Sequence, residues 1–311
     1  METIGIIGGS GFIGSHVTKK FLQNNFKVKV SSTDISNTEK YKHLKSLPHA
    51  EHIEIAALNV ENINQLREFV KGCDLLIHGG TPFKLDVQDP EKELLDPTIK
   101  GTKNFLEVIK ESPHIKRVVF IASVGAVNTN FPLLPDNKKE GDLISENDTP
   151  FMSEESHPYA QAKFLAHQTV EKFIADHTDL NFEIVSVSPV GVMGKSLSQR
   201  QDSTSTGLQF LFKNKMAPNP HFQMYYDLNI DFAMVDVKDV AEAIYLATQT
   251  NGIHGKNYLL SSESYSVSDI TLMLNKQPPE GKPKTVYSNE LAKSDLGIDF
   301  NPAISPLNEY S

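Results

Sequence analysis

The sequence predicts an α/β protein: a doubly wound parallel sheet with a small C-terminal lobe folded over one of its edges. Three observations predict it. A strand breaks into glycines and restarts as a helix in Ile4-Gly5-Ile6-Ile7-Gly8-Gly9-Ser10-Gly11-Phe12-Ile13-Gly14. Apolar runs alternate with helical patterns through the first half of the chain. Those runs are nearly continuous in apolar character, as from Val118 to Ala122, which suits strands covered on both faces.

The first strand mixes small and β-branched residues with almost no charge, and the helix after it runs from Ser15 to Asn25. Strands follow at Phe26–Ser31, His52–Leu58, Asp74–His78, Arg117–Ala122 and Phe182–Val187. Helices are expected at Ile63–Lys71, Glu91–Lys110 (Leu94, Leu95, Ile99, Phe105, Leu106 and Ile109 at helical spacing) and Pro158–His177. Beyond Pro189 the rhythm changes. Residues 191–231 are rich in Ser, Gln, Asn, Met and aromatics without a clean period. Asp231–Val237 reads as a strand, Asp239–Gln249 as a helix, Asn257–Leu260 as a strand, and the last fifty residues as loop-rich. The expected division is 1–190 plus 232–260 for the large domain and 191–231 plus 261–311 for the lobe.

Composition narrows the function. With 311 residues the chain can bury a substantial core. A net charge of −9 argues against nucleic acid or an anionic membrane as partner. One cysteine, Cys73, allows no internal disulfide and reads as a small core residue. With no leader-like or long apolar run, a cytoplasmic protein is expected, a monomer or homodimer acting on a small molecule.

The glycine stretch is the context of a Rossmann-type nucleotide-binding turn. Glycines at 8, 11 and 14 allow a tight turn, a pyrophosphate against bare backbone, and a helix close to its strand. Phosphates are received by N–H groups at the helix start, among them those of Phe12 and Ile13. An acid at the end of the second strand would select NAD, and a basic residue nearby NADP. The chain reads Val30-Ser31-Ser32-Thr33-Asp34, with Lys40 and Lys42 following. Ser32 and Thr33 can hydrogen-bond a phosphate and Lys40 can neutralise it, so NADP is favoured, with NAD the alternative. Ser123 ends the fifth strand. Tyr159 and Lys163 stand four apart, on one face of a helix. An ammonium beside a phenol is expected to lower the phenol's pKa toward working pH, fitting it to exchange a proton with a carbonyl or alcohol oxygen held by the serine.

The set Gly8-x-x-Gly11-x-x-Gly14, Ser123 and Tyr159-x-x-x-Lys163 resembles the extended short-chain dehydrogenase/reductases, within the NAD-dependent epimerase/dehydratase group, and most closely the dihydroflavonol-reductase-like branch. His78-Gly79-Gly80-Thr81-Pro82, Asp96–Thr102 and Val235–Ala241 extend the match over nearly the whole chain. The resemblance implies a ketone or aldehyde reductase using NADP or NAD and no metal. Ser123 would orient the carbonyl, Tyr159 act as acid or base, and Lys163 also bind the nicotinamide ribose. It further implies cofactor contacts at Lys40, Asn59 (facing adenine), Val60, His78, Gly79, Gly80, Thr81, Pro189 and Val190. The family's usual basic residue at the strand end corresponds here to Thr33. A sugar-nucleotide epimerase or dehydratase is the second reading, and a cofactor-sensing regulator without turnover the third. Of the three arginines, Arg67, Arg117 and Arg200, only Arg200 falls in the lobe, which disfavours a diphosphate clamp. Phe210-Leu211-Phe212, Met193, Met224, Tyr225 and Tyr226 suggest an apolar receptor, although most of them are expected to pack the lobe's own core.

Overall fold

The computed structural model describes residues 1–79, 89–200 and 203–310. In chain order the first half contains β1 (Thr3–Ile7), α1 (Phe12–Gln23), β2 (Lys27–Ser32), β3 (Ile53–Ala57), α2 (Ile63–Val70), β4 (Leu75–His78), α3 (Asp96–Lys110), β5 (Arg117–Ile121), α4 (Pro158–Asp176) and β6 (Glu183–Pro189). The second half contains β7 (Gly191–Met193), α5 (Thr204–Asn214), α6 (Pro220–Asp227), β8 (Asp231–Asp236), α7 (Val237–Gln249), β9 (Asn257–Leu260), β10 (Glu263–Ser266), α8 (Val267–Leu274), α9 (Glu290–Leu296) and α10 (Ile304–Glu309).

Seven strands form one parallel sheet in the order β3-β2-β1-β4-β5-β6-β9. The chain reverses its direction of winding between β1 and β4, and at such a switch point the carboxyl ends of the strands open a crevice. Both faces are covered. On one, Val17, Phe21 and Leu22 of α1 pack with Val240, Ile244 and Ala247 of α7. On the other, Leu66 and Phe69 of α2, Phe105 and Leu106 of α3, and Val170 and Phe173 of α4 close over the sheet. Each such side chain contributes about 1.5–3 kcal/mol by leaving water. Cys73 is buried here, as expected; its thiol donates to the Phe69 carbonyl, and burial pushes it up to about 11.

A second sheet, β10-β8-β7, has its own core of Met193, Phe212, Phe232, Met234, Ile270 and Leu274. The Asp231 strand exists as expected, and β8 pairs with β7 and β10 in this small sheet. The helix expected over Glu91–Lys110 is two pieces, a π-helical turn at Glu91–Leu95 and then α3. Pro97, at the start of α3, has no N–H to carry an α-helical ladder through the junction. The tail is less loop-rich than its composition suggests: β10, α8, α9 and α10 lie within residues 261–311. These elements are short and locally specified, as where the Ser266 hydroxyl accepts from Asp269 N to cap α8.

Candidate active site

The glycine turn stands at the switch point. Gly8 has φ +84°, which lets the chain reverse after β1, and Gly11 N donates to Gly8 O at 3.0 Å. A Cβ on Gly14 would lie 2.0 Å from Gly8 O, so α1 can rest on the turn only with glycine there. Gly11 is the N-cap of α1 and makes no side-chain cap hydrogen bond. Phe12 and Ile13 fill the first turn, half-buried, with their N–H groups at the positive end of the helix dipole. This cradle fits a pyrophosphate.

The loop after β2 holds the residues expected on the adenosine side. Ser32 is buried, and its hydroxyl closes a turn, donating to Asp34 O at 2.9 Å and accepting from Asp34 N at 3.3 Å. That leaves the anion-binding part expected of the strand end to Thr33, which is exposed and accepts from Lys40 Nζ at 3.0 Å. The acid is engaged locally: Asp34 Oδ1 accepts from Ser36 N at 2.9 Å and Ser36 Oγ at 2.6 Å. These bonds hold its carboxyl below the usual range. Lys42 pairs with Glu39 at 2.5 Å. Asn59, past the end of β3, is exposed, and its Oδ1 accepts from Glu61 N at 3.0 Å, with a lone pair left for a further donor. Val60 packs instead against the second core layer. Lys40→Ala is expected to weaken NADPH relative to NADH by about 1 kcal/mol, as befits a partly exposed charged contact, measurable as the two dissociation constants by calorimetry.

Ser123 follows β5 in extended backbone, and its Oγ accepts from Gly125 N at 3.2 Å, capping a 3-10 turn at Val124–Ala126. That turn packs on the start of α4: a Cβ on Gly125 would lie 3.3 Å from Ala160 O, so bare backbone sets how closely the serine turn approaches the residue after Tyr159. The start of α4 is fixed by Pro158 at N1 and by His157, whose Nδ1 accepts from Tyr159 N at 3.2 Å. One turn on, buried Lys163 donates from Nζ to Ile121 O at 3.0 Å and stands 6.0 Å from the centroid of the half-buried Tyr159 ring. Lys163 thus ties α4 to the strand that delivers Ser123. The structure brings the three residues together.

The protonation state differs from expectation. Burial pushes the Tyr159 phenol up to about 12 and the Lys163 amine down to about 8. The ammonium spends a hydrogen bond on Ile121 O, and desolvation outweighs its attraction for a phenolate. The resting tyrosine is therefore a phenol, the form that gives a proton.

Of the remaining expected contacts, His78 turns its ring into the core, 4.7 Å from Phe105 and 5.2 Å from Phe120 between ring centroids. Burial, then the nearby Lys163 charge, lowers it to about 3, so it is neutral. Gly79 N donates to Ile7 O at 3.0 Å, which sets Gly79 at the crevice beside the glycine turn. Pro189 and Val190, at the end of β6, are buried, and Val190 N donates to Leu260 O at 3.1 Å. Gly80 and Thr81 lie outside the described residues. In the lobe, Phe212, Met193 and Tyr225 are buried in its own core, with Met224 and Tyr226 packed against them, while Phe210 is exposed. Most of the aromatic run is therefore packing, as expected. Among the described residues no cluster of His, Cys, Asp and Glu could hold a metal ion, and no helix is long and apolar enough to cross a membrane.

Sequence reasoning missed three positioning contacts. The His157 cap was signalled only by the Pro after it. His43 Nε2 lies 2.8 Å from Ser15 Oγ on α1, and Arg200 Nη1 donates to Lys40 O at 2.8 Å. The last two join segments far apart in the chain, and nothing local marks them.

Comparison with known proteins gives the same picture. The chain is 30% identical over 311 residues to cinnamoyl-CoA reductase CAD2 of Medicago truncatula, covering 96% of this chain and 90% of that protein. It is 28% identical over 282 residues to dihydroflavonol 4-reductase of Hordeum vulgare, covering 88% and 75%. The fold matches the crystal structure of Gre2 from Candida albicans in complex with NADPH, with a TM-score of 0.82, 21% identity, and coverage of 100% of this chain and 97% of that one. The family model for the NAD dependent epimerase/dehydratase family matches residues 4–261, from the first residues of the glycine turn's strand to the end of β9. With the turn, the switch point and the Ser–Tyr–Lys grouping inside that span, the chain belongs to the NAD dependent epimerase/dehydratase family.

Proposed function

We propose that the protein is an NADPH-dependent reductase of a ketone or aldehyde. The observation that carries this reading is the packing of the Ser123 turn on the first turn of α4, with Lys163 tethered to Ile121 beneath a protonated Tyr159. The dinucleotide, when bound, supplies the hydride. The chain's own part is to hold and move a proton. Ser123 donates its hydroxyl to the carbonyl oxygen, since its Oγ is used only as an acceptor by Gly125 N in the hydrogen bonds described. Tyr159 gives the same oxygen its phenolic proton as negative charge develops there. Lys163 offers its ammonium to the developing phenolate and to the ribose. The glycine turn and the first turn of α1 hold the pyrophosphate; Thr33 and Lys40 hold the 2′-phosphate. The reductase names among the relatives support this reading. The small sheet with α5, α6 and α8 is the substrate lobe in this account, and the catalytic unit is a monomer or homodimer in the cytoplasm.

The test is NADPH consumption with a panel of aldehydes and ketones, against UDP-sugars as the epimerase arm. Turnover of carbonyls is expected. Interconversion of UDP-sugars without net NADPH loss would contradict the reading. The pH profile carries a further expectation. Reduction needs the proton on Tyr159, kept up to about 12, and the charge on Lys163, lost above about 8. Both are proton-bearing forms, so kcat/KM at saturating NADPH should stay level through neutral pH and fall as pH rises through about 8. A profile that climbs through that region would show that the resting phenol is not the working acid.

A further inference from the structure

The end of β2 presents a cofactor phosphate with a hydroxyl, Thr33, and one flexible ammonium, Lys40; it carries no guanidinium. A guanidinium nevertheless stands there, from the other end of the molecule. Arg200, on the segment after β7, donates from Nη1 to Lys40 O at 2.8 Å across 160 positions of sequence. That segment is fastened at both ends. At its start, His16 Nε2 on α1 lies 2.9 Å from Lys195 O. Along it, Ser196 Oγ donates to Ser198 O at 2.8 Å, and Arg200 N donates to Ser198 Oγ at 3.1 Å, which sets the backbone that launches the side chain. The segment thus runs from the helix that receives the pyrophosphate to the turn that bears Lys40, the path along which the adenosine half of a dinucleotide lies in a crevice of this kind.

We propose that Arg200 is a ligand of the cofactor's 2′-phosphate, delivered from the lobe side to do what a strand-end arginine would otherwise do. This rests on the NADPH reading above. The Lys40 carbonyl accepts from Nη1 of the guanidinium and sets it beside the Lys40–Thr33 pair. A planar fork matches phosphate oxygens two at a time, which an ammonium cannot do, so the arginine adds discrimination to the attraction Lys40 provides. The same contact makes the phosphate a bridge between the large sheet and the lobe-side segment: NADPH fastens that segment, and NADH, with a bare 2′-hydroxyl, does not.

The test is calorimetric binding of NADPH, NADH, adenosine 2′,5′-bisphosphate and AMP to the native protein and to Arg200→Ala and Arg200→Lys, with melting curves to establish that each variant is folded. Arg200→Ala is expected to weaken NADPH and the bisphosphate by about tenfold or more while NADH and AMP stay within about twofold, and Arg200→Lys should fall between. Equal weakening of NADH and NADPH would make Arg200 only a strap and overturn the proposal, as would unchanged affinity for all four. If the native protein binds the bisphosphate no tighter than AMP, the NADPH reading itself fails, and the proposal with it. If native discrimination is strong and Arg200→Ala keeps it, only the proposal fails.

Discussion

Tyr159→Phe is expected to cut carbonyl reduction by about 10²–10⁴ while leaving the melting temperature and NADPH affinity near native values. The substitution removes one oxygen and keeps the ring, which sits half-buried at the second position of α4 with Lys163 below it. The helix start is set by Pro158 and by the His157 cap, which takes the Tyr159 backbone N–H rather than its side chain. A loss confined to kcat identifies a group that acts in the transition state rather than in binding. Lys163→Ala should behave differently. It removes a buried donor to Ile121 O as well as the charge proposed to meet the ribose, so turnover, cofactor affinity and stability should all fall. If the Phe variant reduces carbonyls at the native rate, the acid is elsewhere.

Gly11→Val should abolish measurable dinucleotide binding in a protein that still folds. Gly11 has φ −75°, open to any residue, and the nearest atom to an added Cβ is Gly8 O at 3.3 Å. The fold can accept the branched side chain with a small local shift, but the phosphates cannot approach the first turn of α1 past it. Gly14→Ala makes the contrast. Its methyl would lie 2.0 Å from Gly8 O, so the turn itself must open and stability should drop with affinity. Calorimetry and melting curves on the two variants separate loss of a ligand surface from loss of the scaffold. Native affinity in Gly11→Val would remove the glycine turn from the cofactor site.

The large sheet was legible because each strand carries its own signal: β-branched runs between helical periods, with turns between them. The glycine turn and the Tyr159–Lys163 spacing were legible for the same reason, since both are local. The small lobe was not. Helices such as α5 and α6 carry no clean period, and they are held by packing on Phe232, Met234 and Ile270 from distant segments. Their caps were the available sign: Ser203 and Asn219 accept from Thr206 N and Phe222 N. The direction of the Tyr159 shift was misjudged because spacing shows a neighbour but not burial, and burial decides it. The Arg200–Lys40 contact could not be read at all, because it exists only once two loops at the carboxyl edge meet.

The most direct measurement follows the transferred hydrogen. NADPH labelled with deuterium at both hydrogens of nicotinamide C4 is incubated with the enzyme and an aldehyde, and the product is analysed by mass spectrometry. The expected product is an alcohol carrying one deuterium on the former carbonyl carbon, formed in step with NADPH oxidation and suppressed in Tyr159→Phe. NADPH oxidation that leaves no deuterium in the alcohol, or no carbonyl turnover at all from a protein that binds NADPH, would contradict it.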